Sequence, residues 1–183
     1  MTTPQHILQA AARCVRRSGA SGATLGAIAT DAGVSKGLLL YHFTDKAGLL
    51  VALASATSAR ILERESAMRG RAEGTRAVTA LRSWMEEELA QEDVALLAAL
   101  AFLEDPAIRT ALANANDARV ESARQTVQWL FTQLGLLPRV PDVFIARATV
   151  ALLDGLALHH GAGDANAAVA FDVFWLGMLG LAE

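Results

Sequence analysis

One cysteine, two lysines, four prolines and 5% aromatics are all that 183 residues contain of those types. A lone Cys14 excludes an intrachain disulfide and any cysteine-based zinc site, and it suits a reducing compartment. Long apolar runs are missing too. The longest stretch free of Asp, Glu, Lys and Arg is Gln125 to Pro138, and glutamines and threonines interrupt it. A membrane-spanning helix needs about 18 or more apolar residues in a row. The first residues, Met1 to His6, have no basic start of a secretory signal. The expectation is a cytoplasmic protein with no membrane partner. Also missing are a phosphate-cradling glycine loop, a Ser-His-Asp order and metal-ligand spacing. We therefore expect no enzyme, no cofactor and no metal. What is abundant is apolar residues, at 53%, which excludes a disordered chain. A chain this long buries roughly 70% of its unfolded surface and needs no staple to fold.

A formal net charge of −3 argues against a nucleic-acid partner, but the distribution argues for one. Residues 1–46 carry five basic side chains against two acidic ones, and both lysines of the chain are there. The remainder carries eleven basic against seventeen acidic. A basic head on an acidic body points to a polyanion at one end.

Ala and Leu dominate, and every convincing segment has helical period. The pattern predicts about nine helices. The first runs from Pro4 to Arg17, with Thr3 as N-cap and Gly19 as its stop. Two short ones follow, Leu25 to Asp31 capped by Thr24 and Lys36 to His42 capped by Ser35. A fourth starts near Asp45 and reaches Met68. The body then has Thr75 to Ala90, Val94 to Leu103, a stretch from Asp105-Pro106 to Leu134 with an interruption near Asn114–Asn116, Asp142 to His160 stopped by Gly161, and a last helix from Asp164 to Leu181.

The two short helices meet at Ala32-Gly33-Val34. That is a helix-turn-helix pattern, and its requirements are steric. A close crossing needs a small residue, here Ala29. The turn needs a left-handed backbone, here Gly33. Ile28, Val34 and Leu39 plug the gap, and Phe43 is a further core residue.

Thr24-Leu25-Gly26-Ala27-Ile28-Ala29, Gly33-Val34-Ser35-Lys36-Gly37 and Tyr41-His42-Phe43-Thr44-Asp45-Lys46 together resemble the DNA-binding head of the tetracycline-repressor (TetR) family, over about residues 5–52. The resemblance implies an all-α fold: a three-helix head, residues 1–46, and a ligand-binding and dimerising body, residues 47–183. It implies that Lys36, Gly37 and Leu38 face base edges and that Tyr41 and His42 touch phosphates. Thr24 and Ser35 would donate to phosphate as well as cap helices. Lys46 would add a phosphate contact. Leu40 stands where many relatives carry a DNA-contacting tyrosine, and leucine cannot donate a hydrogen bond. The implied function is a ligand-responsive regulator, a repressor released from a near-palindromic operator by a small apolar or amphipathic effector. The alternative is a helical protein-interaction module without sequence-specific DNA binding.

In the body, Trp84, Phe102, Trp129 and Phe144 are core aromatics that double as candidates for lining an effector pocket. Asp154 interrupts an apolar helix, so it pairs with an arginine such as Arg147 or Arg124, or meets a ligand. Glu86-Glu87-Glu88 reads as a solvated face, with Glu88 a candidate to turn inward. His159-His160 are neighbours about 100° apart on a helix, which suits helix-end contacts better than a metal. Arg13, Arg16 and Arg17 share one face and either meet DNA or pair with acids of the body. Few charges are expected to point inward. The last helix is apolar on all sides from Val173 to Leu181, which calls for burial all round. A two-fold partner packed on the last two helices would supply it, giving a homodimer.

Overall fold

The computed structural model describes residues 3–159 and 165–180. Among these residues the elements are nine helices: α1 Thr3–Gly22, α2 Leu25–Asp31, α3 Lys36–Phe43, α4 Lys46–Arg69, α5 Arg76–Gln91, α6 Asp93–Leu100, α7 Pro106–Leu134, α8 Asp142–His159 and α9 Ala165–Leu179. No single one of them is long and apolar enough to cross a membrane. They pack as two compact units. One is the chain up to Ser58 with Leu96–Ala115, and the other is Ala59–Ala95 with the chain from Asn116 onward.

The first unit is built on alanine. Ala10, Ala11 and Ala12 of α1 are buried beside Ile7, Cys14 and Val15, so α2 and α3 can pack on α1. Ile28 and Leu39 are wholly buried, each contributing about 1.5–3 kcal/mol of apolar burial. Val34 and Phe43 are only half-buried, so the plug is narrower than the sequence suggested. Helix α1 also differs from expectation. Thr3 is already helical rather than a cap. Gly19 breaks the helix at φ +71°, but the chain resumes one more turn to Gly22.

The second unit has a core of Met68, Leu81, Trp84, Met85, Leu130 and Phe131, closed by Leu153, Phe171 and Trp175 from α8 and α9. Helix α7 runs unbroken through Asn114–Asn116, since a 29-residue helix with a capped start tolerates isolated asparagines. Asp105 caps it, accepting from Ala107 N at 2.9 Å and Ile108 N at 3.2 Å. Helix α9 is not buried all round in the single chain. Ala167, Phe171 and Trp175 point inward, while Val169, Val173 and Leu176 stay exposed at 60%, 65% and 70%. The expected stop at Gly161, the cap at Asp164, the His160 contact and the helix end at Leu181 lie outside the described residues, as does the side chain of His159.

Candidate nucleic-acid interface and interior site

Each short helix of the head starts on a hydroxyl cap. Thr24 Oγ1 accepts from Ala27 N at 3.2 Å, and Ser35 Oγ accepts from Leu38 N at 3.1 Å. Accepting uses a lone pair and leaves each hydroxyl proton available for an anion outside. Between them Gly33 takes φ +63°, a region that disfavours any Cβ. Helix α3 then sorts its residues by face. Leu39 goes inward, while Lys36, Gly37 and Leu38 are exposed and Tyr41 is 82% exposed. His42 is half-buried and meets the Tyr41 ring edge-on at 5.2 Å between centroids. Leu40 is half-buried, turned partly off the exposed face.

Ion pairs and one close approach hold this face in place. Arg13 binds Asp31 at 2.6 Å and Arg17 reaches it at 3.5 Å. Arg13 and Arg17 therefore pair with an acid of the head, not of the body. The Arg13 hydrogen bond holds Asp31 below the usual carboxylate range. It also offsets an acid placed at the unfavourable C-terminal end of α2. Lys46 Nζ donates to the Ser21 carbonyl at 3.1 Å, so this lysine ties α4 to the segment before α2. Gly48 was missed by the sequence reading. A Cβ there would stand 2.7 Å from the Phe43 carbonyl oxygen, and Gly48 N donates to the Asp45 cap at 2.7 Å. The tight α3–α4 turn, with Thr44 at φ +57°, permits nothing larger.

The six body candidates are scattered. Trp84 and Glu88 are buried and border the same small void. Trp129 is half-buried against the core. Asp154 pairs with Arg119 at 2.6 Å. Neither Arg147 nor Arg124 takes that role: Arg147 is exposed, and Arg124 binds Glu121 and Asp142. Phe144 faces solvent, and Phe102 is 81% exposed on the first unit. Large aromatics near helix ends have no neighbour to cover them there, which periodicity alone does not reveal.

The interior is more polar than expected. Glu65, Glu88, Asp93 and Arg119 are all buried. Of the three consecutive glutamates only Glu88 turns inward. Arg64 grips it with two bonds, 2.6 and 2.8 Å, and also holds Asp93 at 2.9 Å. Arg60 binds Asp93 as well, at 2.9 Å. Burial opposes the Asp93 charge, but the two arginines outweigh it and hold its pKa below the usual value. Glu65 is the opposite case. Burial raises its pKa above 4.5, against hydrogen bonds from Ser122 and Thr126 and the more distant Arg69 and Arg119.

That shift has a measurable sign. A raised folded-state pKa contributes stability that is complete below 4.5 and is lost as pH rises through the raised value. Glu65→Gln removes the titration. Its stability relative to the unsubstituted protein is therefore expected to rise between pH 4.5 and pH 7. Urea unfolding at the two pH values measures this, and an equal difference at both would contradict it.

Residues 7–53 match the family described as bacterial regulatory proteins, tetR family. That segment is similar to the head of tetR-family regulators. It is similar to the HTH-type transcriptional repressor AcnR of Corynebacterium diphtheriae, with 41% identity over 59 residues. That match takes in 32% of this chain and 31% of the relative, so it reaches less than a third of AcnR's length. The fold likeness is wider. A transcriptional regulator from Rhodococcus sp. Rha1 matches over 99% of this chain and 98% of its own, at TM-score 0.80 and 21% identity. FadR from Bacillus subtilis, solved in complex with stearoyl-CoA, matches over 95% and 97%, at TM-score 0.74 and 13% identity. At those identities the likeness is one of fold. The exposed row Lys36, Gly37, Leu38 and Tyr41 lies inside the matched segment.

Proposed function

We propose that this chain is a DNA-binding transcriptional regulator, a repressor that leaves its operator when an amphipathic effector occupies the body. Residues 1–46 would bind DNA, and residues 47–183 would bind effector and dimerise. The observation that carries the DNA reading is the outer face of α3. Lys36, Gly37, Leu38 and an 82%-exposed Tyr41 stand together beside the Ser35 hydroxyl. A helix of this kind enters the major groove with its N-terminal residues on base edges, and flanking donors hold phosphates. Thr24, His42 and Lys46 would be those donors. A double-stranded operator in the cytoplasm is the partner, and no catalytic step is involved.

Two heads on one near-palindromic site require a homodimer. The exposed apolar stripe of α9, with Phe144 and Leu158 exposed on α8, supports a second copy packed on these two helices. The same stripe would also serve a protein-interaction module, so oligomeric state separates the readings. The stearoyl-CoA bound to FadR supports a body of this fold taking a small molecule. In this chain the buried Glu65, Glu88 and Arg119 favour an amphipathic effector over a purely apolar one. A coupling of about 1–3 kcal/mol would loosen DNA 5–150-fold.

The deciding experiment selects bound duplexes from a random pool at two salt concentrations. Enrichment of a near-palindrome is expected. Binding that shows no enrichment and vanishes with salt would leave only backbone electrostatics and would favour the interaction module. On the selected duplex, Lys36→Ala is expected to cost about 1–3 kcal/mol and to relax the base preference at one half-site position. Titration against single-base variants of the duplex reads both effects.

A further inference from the structure

Helix α3 carries few groups that can hydrogen-bond to a base. Its residues are Lys36-Gly37-Leu38-Leu39-Leu40-Tyr41-His42-Phe43. In the major groove, bases are read by the paired bonds of Arg, Asn and Gln, by Lys on guanine, and by apolar contact with the C5-methyl of thymine. Arg, Asn and Gln are absent from α3, as are Asp, Glu, Ser and Thr. Lys36 suits guanine. The other readout that the first turn of α3 offers is apolar.

Leu38 is the group placed for it. Of the three leucines, Leu39 is wholly buried and Leu40 half-buried, while Leu38 is 39% exposed. Its backbone N–H already donates to the Ser35 hydroxyl at 3.1 Å, so the residue presents only hydrocarbon outward. Gly37 and Tyr41 are one turn apart and lie on the side of the helix opposite Leu39. No requirement of the fold explains that glycine. Its φ is not positive, and a Cβ there would meet only the Ser35 Oγ, at 3.8 Å, an ordinary contact. Glycine in a helix is less stable than alanine. What Gly37 provides is a gap in the outer face, beside the flank of Leu38.

We propose that Leu38 is a specificity-determining residue that reads the C5-methyl of one thymine in each operator half-site, and that Gly37 lets that base edge come close enough to reach it. This rests on the DNA-binding reading above. A methyl group packed on leucine leaves water, so the discrimination needs no hydrogen bond.

The test replaces the thymines of the selected duplex by deoxyuridine, one symmetric pair of positions at a time. Deoxyuridine lacks only the methyl and keeps every donor, acceptor and phosphate. Anisotropy titration with the full-length protein reads the affinity. One pair of positions is expected to weaken binding about fifteenfold, or about fourfold for each methyl left in water. Leu38→Ala should bring the thymine and deoxyuridine duplexes within about twofold of each other at that pair. Gly37→Ala should keep the urea midpoint and weaken the thymine duplex about tenfold. A half-site without thymine, or a deoxyuridine penalty that survives Leu38→Ala, would overturn the proposal and leave the DNA reading standing. A duplex indifferent to every deoxyuridine overturns it as well, whether or not Leu38→Ala folds. Gly37→Ala binding as tightly as the unsubstituted protein would overturn the close approach. A selection that enriches no duplex would sink the DNA reading itself, and this proposal with it.

Discussion

Replacing Arg64 with methionine is expected to lower folding stability by about 3–5 kcal/mol. Glu88 is only 1% exposed, and Arg64 supplies a bond to each of its oxygens. Without Arg64 a buried carboxylate loses the charge that balances it. Asp93 also loses one of its two arginines, though Arg60 remains. Arg64 is partly open to water, which holds the expected cost to the lower part of that range. The second arm is Arg64→Met with Glu88→Leu. Removing both charges is expected to recover most of the loss, because the desolvation cost of the pair disappears with it. Urea unfolding of the three proteins measures both steps. A single variant that unfolds at the same urea concentration as the unsubstituted chain would show that the pair is not holding α4 to α5.

Val173→Asp with Leu176→Asp is expected to convert a dimer to a monomer and to weaken operator binding by about 10²–10⁴-fold. The second head of a dimer binds at the high effective concentration its tether imposes, and a monomer forfeits that gain. Both side chains are already exposed in the single chain, so the substitutions leave the core of Phe171 and Trp175 untouched. Sedimentation gives the mass, and titration on the selected duplex gives the affinity. A double variant that stays dimeric would move the interface off α9. One that becomes monomeric yet holds DNA as before would remove the need for paired heads.

The head was legible because its chemistry is local. Thr24, Ser35 and Gly33 act on backbone within three residues of themselves, so caps and turn are written in short spacings. The apolar stripe of α9 was legible as composition, although which of its residues face inward was not. Gly48 escaped notice because its constraint is a close approach to the Phe43 carbonyl across a turn, and nothing in the spacing marks it. Phe102 and Phe144 were misplaced for a related reason, since helical period names a face but not what lies opposite it.

The pairing of charges was beyond sequence altogether. Asp154 meets Arg119, 35 positions away, and Glu88 meets Arg64, 24 positions away. Periodicity can say that an acid lies on an apolar face and must be compensated, but any arginine on a neighbouring helix satisfies that rule. By itself the sequence determined about nine helices and the caps and turn of a helix-turn-helix, because those follow from interactions within a few residues, and an excess of basic residues in its head, which is composition alone. Only the tertiary structure decided which arginine neutralises which acid and which aromatic side chains end in the core. Both depend on how distant helices are placed, and many sequences with the same periodicity would place them differently.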